Sequence, residues 1–295
     1  MPSVKTKSYL HLHLIVFIWG FTGALGELIS VSSMAKVWYR MSIAFVLVAI
    51  YIGYKKIPLK ISRNLLLIFL GLGFIIALHW FAFFEAIEVS NVSVTLATLS
   101  TGAFFASILE PIFYKRKIIG YEVLFGLFVM LGLYIIYEVN GNFLYGITLA
   151  LIAAFLSATF SVINGKFAGR YSSSFISFYQ ILGGVFLISL YLFLTGEMTS
   201  DFFVLSSSDW IYLLILGSIC TAYTFVASID VMKHLSPYTV MLTINLEPVY
   251  GIILAIILFP ETEKMSAEFY IGAGIIILTI LANGYLKLRR KQKTD

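Results

Sequence analysis

Apolar stretches of about 20 residues recur from one end of this chain to the other, each long enough to cross a hydrocarbon layer of about 30 Å as a helix. They fall at 10–31, 36–54, 64–86, 91–114, 120–138, 143–165, 174–195, 209–231, 237–259 and 268–286. The connections are mostly short, so successive helices run antiparallel, and no stretch is polar enough to form a separate soluble domain. Of the residues, 60% are hydrophobic and 12% charged, against about 25% charged in soluble domains. A chain this apolar cannot cover itself with polar groups in water, so its solvent is lipid. The expected fold is an all-α membrane protein with ten transmembrane helices. The apolar stretch from Tyr9 to Val31 follows Lys5 and Lys7 as a signal peptide would. It is too long for an h-region and has no A-x-A-like cleavage site, so it reads as a retained first span.

The cations orient these spans. Lys5 and Lys7; Lys55, Lys56, Lys60 and Arg63; Lys115, Arg116 and Lys117; Lys166 and Arg170; Lys233; and Lys287, Arg289, Arg290, Lys291 and Lys293 all fall on one side, seventeen of the 20 Lys and Arg. Lys36 and Lys264 lie opposite, and Arg40 lies inside a span. Glu88, Glu138, Glu197, Asp201, Asp209, Glu261 and Glu263 gather on the opposite side. Both termini are therefore expected in the cytoplasm of a bacterial cell, with the chain in the inner membrane. Topology accounts for the basic loops, so the net charge of +5 does not call for a nucleic-acid partner. Cys220 is the one cysteine, which excludes an internal disulfide and a multi-cysteine metal site; no cofactor is expected.

Five spans per half would make the second half enter the membrane upside down. With an offset of 146 residues, Ser90 falls on Ser236, Val94 on Val240, Phe113 on Phe259, Glu122 on Glu268 and Gly126 on Gly272, while Tyr39-Arg40 matches Tyr179-Gln180. The spacing of the spans matches as well. The expected organisation is two inverted five-helix repeats, 1–141 and 142–295. Such halves exchange conformations around a site near the midplane, the architecture of alternating access.

A charge at the centre of a lipid-facing helix costs roughly 2.5–3.5 kcal/mol on insertion scales, so charges within spans should face a cavity or a partner. Glu247 lies mid-span in the ninth helix, before Pro248, which removes a backbone hydrogen bond and kinks the helix. Thr243, Glu247 and Tyr250 share a face at i, i+4, i+7 spacing, and Asn245 lies nearby. A carboxyl at this depth is a candidate proton carrier, or else a protonated group bonded to the kinked backbone. Thr98, Ser100, Thr101 and Gly102 place a small polar stretch at the same depth of the fourth span. Glu27 and Arg40 occupy the outer thirds of the first two spans, where they form an ion pair or outer gate or each face the pathway; Arg40 alone can anchor a substrate carboxylate. His79 and Trp80, in the outer half of the third span, are candidates to bind polar substrate groups or another helix. Trp19 offers an aromatic wall, and Asn164, Tyr179, Gln180 and Tyr223 are further pore-lining candidates.

Trp19-Gly20, Tyr39-Arg40 and the run Ser236…Glu247-Pro248…Glu261 resemble the EamA family of the drug/metabolite transporter superfamily, over essentially the whole chain as two EamA-type halves. The resemblance implies ten helices around a central cavity. It also implies transport of amino acids, related metabolites or toxic compounds, often outward, with a proton or exchange couple. This sequence departs from the family pattern at Gly102, where proline is usual, and at Lys115, where the second half has Glu261; the fourth span is therefore expected to be straighter than the ninth. The leading expectation is a secondary transporter of small organic metabolites, an exporter working by alternating access around Glu247, with protons as the candidate coupling ion and either a monomer or a homodimer as the assembly. The alternatives are a membrane-embedded enzyme, against which stands the lack of HExxH, GxSxG or a clustered acidic metal site, and an importer or exchanger of a nucleotide-like or carboxylate metabolite.

Overall fold

A computed structural model describes residues 3–115, 117, 120–139 and 143–291. Arg116, Lys293, the boundary expected at 141/142, and the side chains of Glu122, Glu138, Lys287, Arg289, Arg290 and Lys291 lie outside the described residues. The helices in chain order are α1 (Val4–Leu28), α2 (Ser33–Lys55), α3 (Arg63–Val89), α4 (Val92–Leu99), α5 (Gly102–Tyr114), α6 (Gly120–Val139), α7 (Leu144–Phe167), α8 (Ser173–Leu194), α9 (Ser207–Gly217), α10 (Thr224–Val231), α11 (Pro237–Ile244), α12 (Glu247–Leu258) and α13 (Ala267–Lys291). No β-strand occurs among the described residues. Ser32, Ser62, Ser172, Ser206 and Ser236 accept a backbone N–H at the start of α2, α3, α8, α9 and α11, satisfying a donor that lipid cannot.

Among the described residues, eight segments are long and apolar enough to cross a membrane, with α4–α5, α9–α10 and α11–α12 each making one span. The fifth and tenth expected spans are helices too, α6 and α13, but their apolar stretches are shorter, Leu124–Ile136 and Ala267–Thr279. The chain is a multi-pass membrane protein, and its surface agrees: Ile50, Leu67, Phe186, Ile257 and Leu278 turn outward, each at least 60% exposed, as lipid allows and water does not.

Among the described residues, three of the expected spans, numbered as in the sequence, are interrupted. The ninth breaks at Asn245–Leu246, one residue before Glu247 and Pro248. The fourth was expected to be straighter, and it is not. It breaks at Ser100–Thr101, where Ser100 Oγ donates to the Ala97 carbonyl at 2.6 Å and Thr101 Oγ1 to the Thr98 carbonyl at 2.8 Å. Hydroxyls that take nearby carbonyls offer the backbone an alternative to the helical ladder, so no proline is needed. The eighth span contains a π-helical turn, Ser218–Tyr223, which nothing in the sequence announced.

The two faces of the bundle hold together by different means. At the basic face, Tyr179 donates to the Leu59 carbonyl at 2.5 Å and Ser173 Oγ to Asp230 at 2.9 Å, while Asp230 also pairs with Lys233. At the other, Asp209 accepts from the Ser30 N–H at 2.8 Å and the Ser30 hydroxyl at 2.7 Å, tying the α1–α2 turn to α9. There Tyr39 stacks on Phe202 with centroids 5.4 Å apart and Trp38 donates to Ser189 at 2.8 Å, forming an aromatic belt. Between the faces, α3 lies along α8, α2 along α9, α1 along α12 and α6 along α13. The closest of these crossings need glycine. A Cβ on Gly73 would fall on the Gln180 carbonyl and stand 2.9 Å from the Gly184 nitrogen. Gly73→Ala is expected to lower thermal stability in detergent by on the order of 3 kcal/mol, whereas Gly71→Ala on the same helix, whose Cβ meets nothing within 4 Å, is neutral or stabilising by up to about 1 kcal/mol. Equal melting temperatures for the two variants would contradict this packing.

Candidate functional site

One cavity lies where the interrupted spans meet, lined from α1 by Trp19 and Thr22, from α2 by Arg40, and from α3 by His79, Trp80 and Phe83. The other side is made by Leu99 at the end of α4, by Ser157, Phe160, Ser161 and Asn164 of α7, by Phe225 and Ser228 of α10, and by Met241, Asn245 and Glu247 around the break in the ninth span. The lining continues toward the basic face as far as Met232 and Asn164. Close helix crossings set this geometry. Gly20 admits the backbone of α12, its absent Cβ standing 2.7 Å from Tyr250 Cβ and 3.4 Å from the Gly251 nitrogen, which brings the first span against the one carrying Glu247.

Arg40 is the largest charged group here and is 1% exposed. Its guanidinium lies over the Trp80 ring at 4.1 Å and within 5.4 Å of the Phe84 ring, replacing lost hydration by the negative faces of two aromatics. Arg40 Nε donates to Thr221 Oγ1 at 3.0 Å, and Nη1 has no protein partner. Glu247 opens α12, so its carboxyl sits at the positive end of a half-helix, where anionic groups are favoured. It is buried and near enough to Arg40 for the two charges to interact, with no hydrogen bond between them. Asn245 Nδ2 and Thr22 Oγ1 are also buried and unpartnered. His79 donates from Nδ1 to the Ala153 carbonyl at 2.8 Å, which leaves its Nε2 as the acceptor in the neutral ring. Trp19 is held by a 2.9 Å bond from its Nε1 to Thr224 Oγ1. The cavity thus joins a buried guanidinium and a buried carboxyl group, unpartnered amide and hydroxyl groups, and aromatic walls.

The sequence profile of the EamA-like transporter family matches residues 6–138 and 144–285. The chain belongs to the EamA-like transporter family. An uncharacterized transporter of Bacillus subtilis (strain 168), YxxF, is 24% identical over 308 residues, covering 99% of this chain and 94% of its own length. A solved crystal structure aligns with a TM-score of 0.69 at 15% identity over 93% of this chain and 96% of its own, a likeness of fold. Family membership points to a membrane transporter rather than an enzyme, one whose ligand is a small molecule taken up within the bilayer.

Several residues singled out from the sequence of this EamA-like chain lie away from the cavity. Thr243, cut off from the face of Glu247 by the break at Asn245–Leu246, returns its hydroxyl to the Thr239 carbonyl at 3.0 Å, and Tyr250, on the same helix as Glu247, packs edge-on against Phe17 of α1 at 5.4 Å. Thr101 is spent on the break of the fourth span, and Tyr179 on the basic-face loop. Tyr223 bonds His11 at 2.9 Å in a separate groove lined by Asp230 and Lys233. Gln180 is fully buried in a reciprocal amide pair with Asn164, donating at 2.6 Å and accepting at 3.3 Å, and reaches the cavity only through that partner. Thr221, Thr22, Ser161 and Ser228 were not singled out; small hydroxylated residues are common in spans and carry no distinguishing signal.

Glu27 does not pair with Arg40. Lys36, one helical turn before Arg40 on α2, pairs with Glu88 at 2.7 Å, while Glu27, Glu88 and Glu263 share a separate surface pocket with it. Glu263 closes that side. Its carboxylate accepts the N–H of Val92 at 2.8 Å and of Ser93 at 2.9 Å, capping α4 from the α12–α13 loop, and Asn91 Nδ2 donates to the Thr262 carbonyl at 3.3 Å. Glu263→Gln puts an amide N–H₂ against a backbone donor, and thermal unfolding in detergent should show a loss of about 1–3 kcal/mol; an unchanged melting curve would mean that the cap carries no stability.

Proposed function

We propose that this protein is a secondary transporter of small organic metabolites bearing opposite charges, amino acids or related compounds. In this reading it works by alternating access around Arg40 and Glu247. The observation that carries the proposal is the meeting of a buried guanidinium and a buried carboxyl group in one cavity beside unpartnered donors, Arg40 Nη1 and Asn245 Nδ2. A purely structural Arg or Glu would be fully bonded, since an unsatisfied buried donor costs about 1–3 kcal/mol. A substrate carboxylate satisfies Arg40 and the amide of Asn245, an ammonium group satisfies Glu247, and the aromatic walls take the apolar remainder.

The ten-span count and the two inverted halves belong to this proposal. In their favour, the fourth and ninth spans break after short helices of 8 residues each, α4 and α11, and the offset of 146 sets the breaks within a residue of each other. The crossings of α2 with α9 and of α3 with α8 are also the exchange that a two-fold axis in the membrane plane would make. Both termini would lie in the cytoplasm of a bacterial inner membrane. The cavity lining runs toward the basic face, while Glu263, Asn91 and the Lys36–Glu88 pair join helices across the other; in this reading an exporter would load from inside in this form. Glu247 would carry the coupled proton when it is not holding substrate.

The reading is tested in proteoliposomes carrying an imposed pH gradient and loaded with an amino-acid panel. Glu247→Gln should abolish gradient-driven flux and weaken ammonium-bearing substrates in exchange at equal pH, and full, equally pH-dependent flux in that variant would remove Glu247 from both roles. Arg40→Ala should weaken carboxylate-bearing substrates by about tenfold or more, the equivalent of ~1.5–3 kcal/mol of charge-assisted hydrogen bonding. The same loss for substrates without a carboxylate would assign Arg40 to folding or gating.

A further inference from the structure

We propose that Thr221, carried on the π-helical turn between α9 and α10, is a positioning residue. It holds Arg40 by one edge and so leaves the terminal guanidinium nitrogens for a substrate carboxylate. The inference rests on the reading of the cavity as the substrate site.

The turn Ser218–Tyr223 closes wider than an α-helix. It inserts about one residue and so rotates α10 by about 100° relative to α9. Just before it, Gly217 lets the eighth span touch the second, its absent Cβ standing 2.7 Å from Ile43 Cβ and 3.2 Å from the Arg40 carbonyl. With backbones this close, only a short side chain fits between them, and Thr221 is fully buried there. Its Oγ1 donates to the Leu216 carbonyl, five residues back, at 2.6 Å. A hydroxyl has a single hydrogen. With that hydrogen given to Leu216, Thr221 can only accept, and it accepts from Arg40 Nε at 3.0 Å. Arginine only donates, so the bond has one possible sense. The Trp80 ring covers the guanidinium plane at 4.1 Å. One edge and one face are thus occupied, and Nη1 is left without a protein partner in the wall of the cavity. A hydroxyl that served only to mend the wide turn would need the Leu216 bond alone.

The test compares Thr221→Ser, which keeps the hydroxyl, with Thr221→Val, which keeps the shape and loses it; Thr221→Ala reads the same loss if the valine chain does not insert. L-Phenylalanine and 2-phenylethylamine, which differ by the carboxylate, are the transport probes in proteoliposomes. The valine variant should raise the apparent KM for phenylalanine roughly tenfold with little change in maximal rate. The serine variant should stay near wild type, and phenylethylamine should be unaffected. In an Arg40→Lys background, Thr221→Val should add no further effect, since the two act as a unit. Equal KM for the serine and valine variants, or equal losses for both probes, would overturn the proposal. A second readout needs no substrate: phenylglyoxal labelling of Arg40, followed by peptide mass spectrometry, should be about as slow in the serine variant as in wild type and several-fold faster in the valine variant. If wild type does not carry phenylalanine but the labelling order holds, the substrate reading fails and the positioning role stands; equal labelling in all three chains overturns the role itself.

Discussion

Every backbone group within the bilayer must find its partner inside the protein, because lipid offers none. That requirement explains why the three interruptions of this fold occur where they do. The breaks at Ser100–Thr101 and Asn245–Leu246 and the buried middle of the wide turn, Cys220–Ala222, face into the bundle, and side-chain hydroxyls accompany two of the three: Ser100 and Thr101 take carbonyls of the fourth span, and Thr221 takes Leu216 in the eighth. An irregular backbone is tolerable at this depth only when it is enclosed, and enclosing it creates the lined cavity in which Arg40, Glu247 and Asn245 sit. Structural economy and the lined cavity therefore arise from the same irregularities.

The charges obey a related rule. A guanidinium in a dry interior is tolerable when its hydration is replaced, and Arg40 has the Trp80 face, the Phe84 face and the Thr221 hydroxyl in its place. Lys36, one turn away on the same helix, is handled differently, by a direct ion pair with Glu88 near the membrane surface. Two cations four residues apart thus meet different environments because the bundle changes character over one helical turn.

The spans were legible because their signal is compositional: a run of about 20 apolar residues marks a crossing whichever way its faces turn. The cost of burying charge also drew attention to Arg40 and Glu247, and their neighbours Trp19, His79, Trp80 and Asn245 line the same cavity. Rotation about the helix axis was less legible. In a span that is apolar on every side, the sequence does not state which face looks inward, so Tyr179, Tyr223 and Tyr250 could be placed in depth and not in direction. The break before Glu247 compounded this, since it changes the phase on which an i, i+4, i+7 argument depends. The fourth span escapes a reading in which proline is the mark of a break, because Ser100 and Thr101 achieve one by hydrogen bonding. Thr221 left no trace, being one threonine among many.

In the proposed repeat, the position of Arg40 in α2 is taken in α8 by Gln180, a neutral amide paired with Asn164. In a molecule whose proposed halves trade shapes, that difference breaks the degeneracy of the two end states. A neutral amide pair is nearly indifferent to whether water reaches it, while a guanidinium gains from being wetted and loses when it is sealed. The two states would then differ in population before any ligand arrives, and a ligand entering from the less populated side would meet an affinity reduced by that fraction. Sidedness would be built into the resting protein by one residue of a matched pair, with no need for different contacts to the cargo on the two sides.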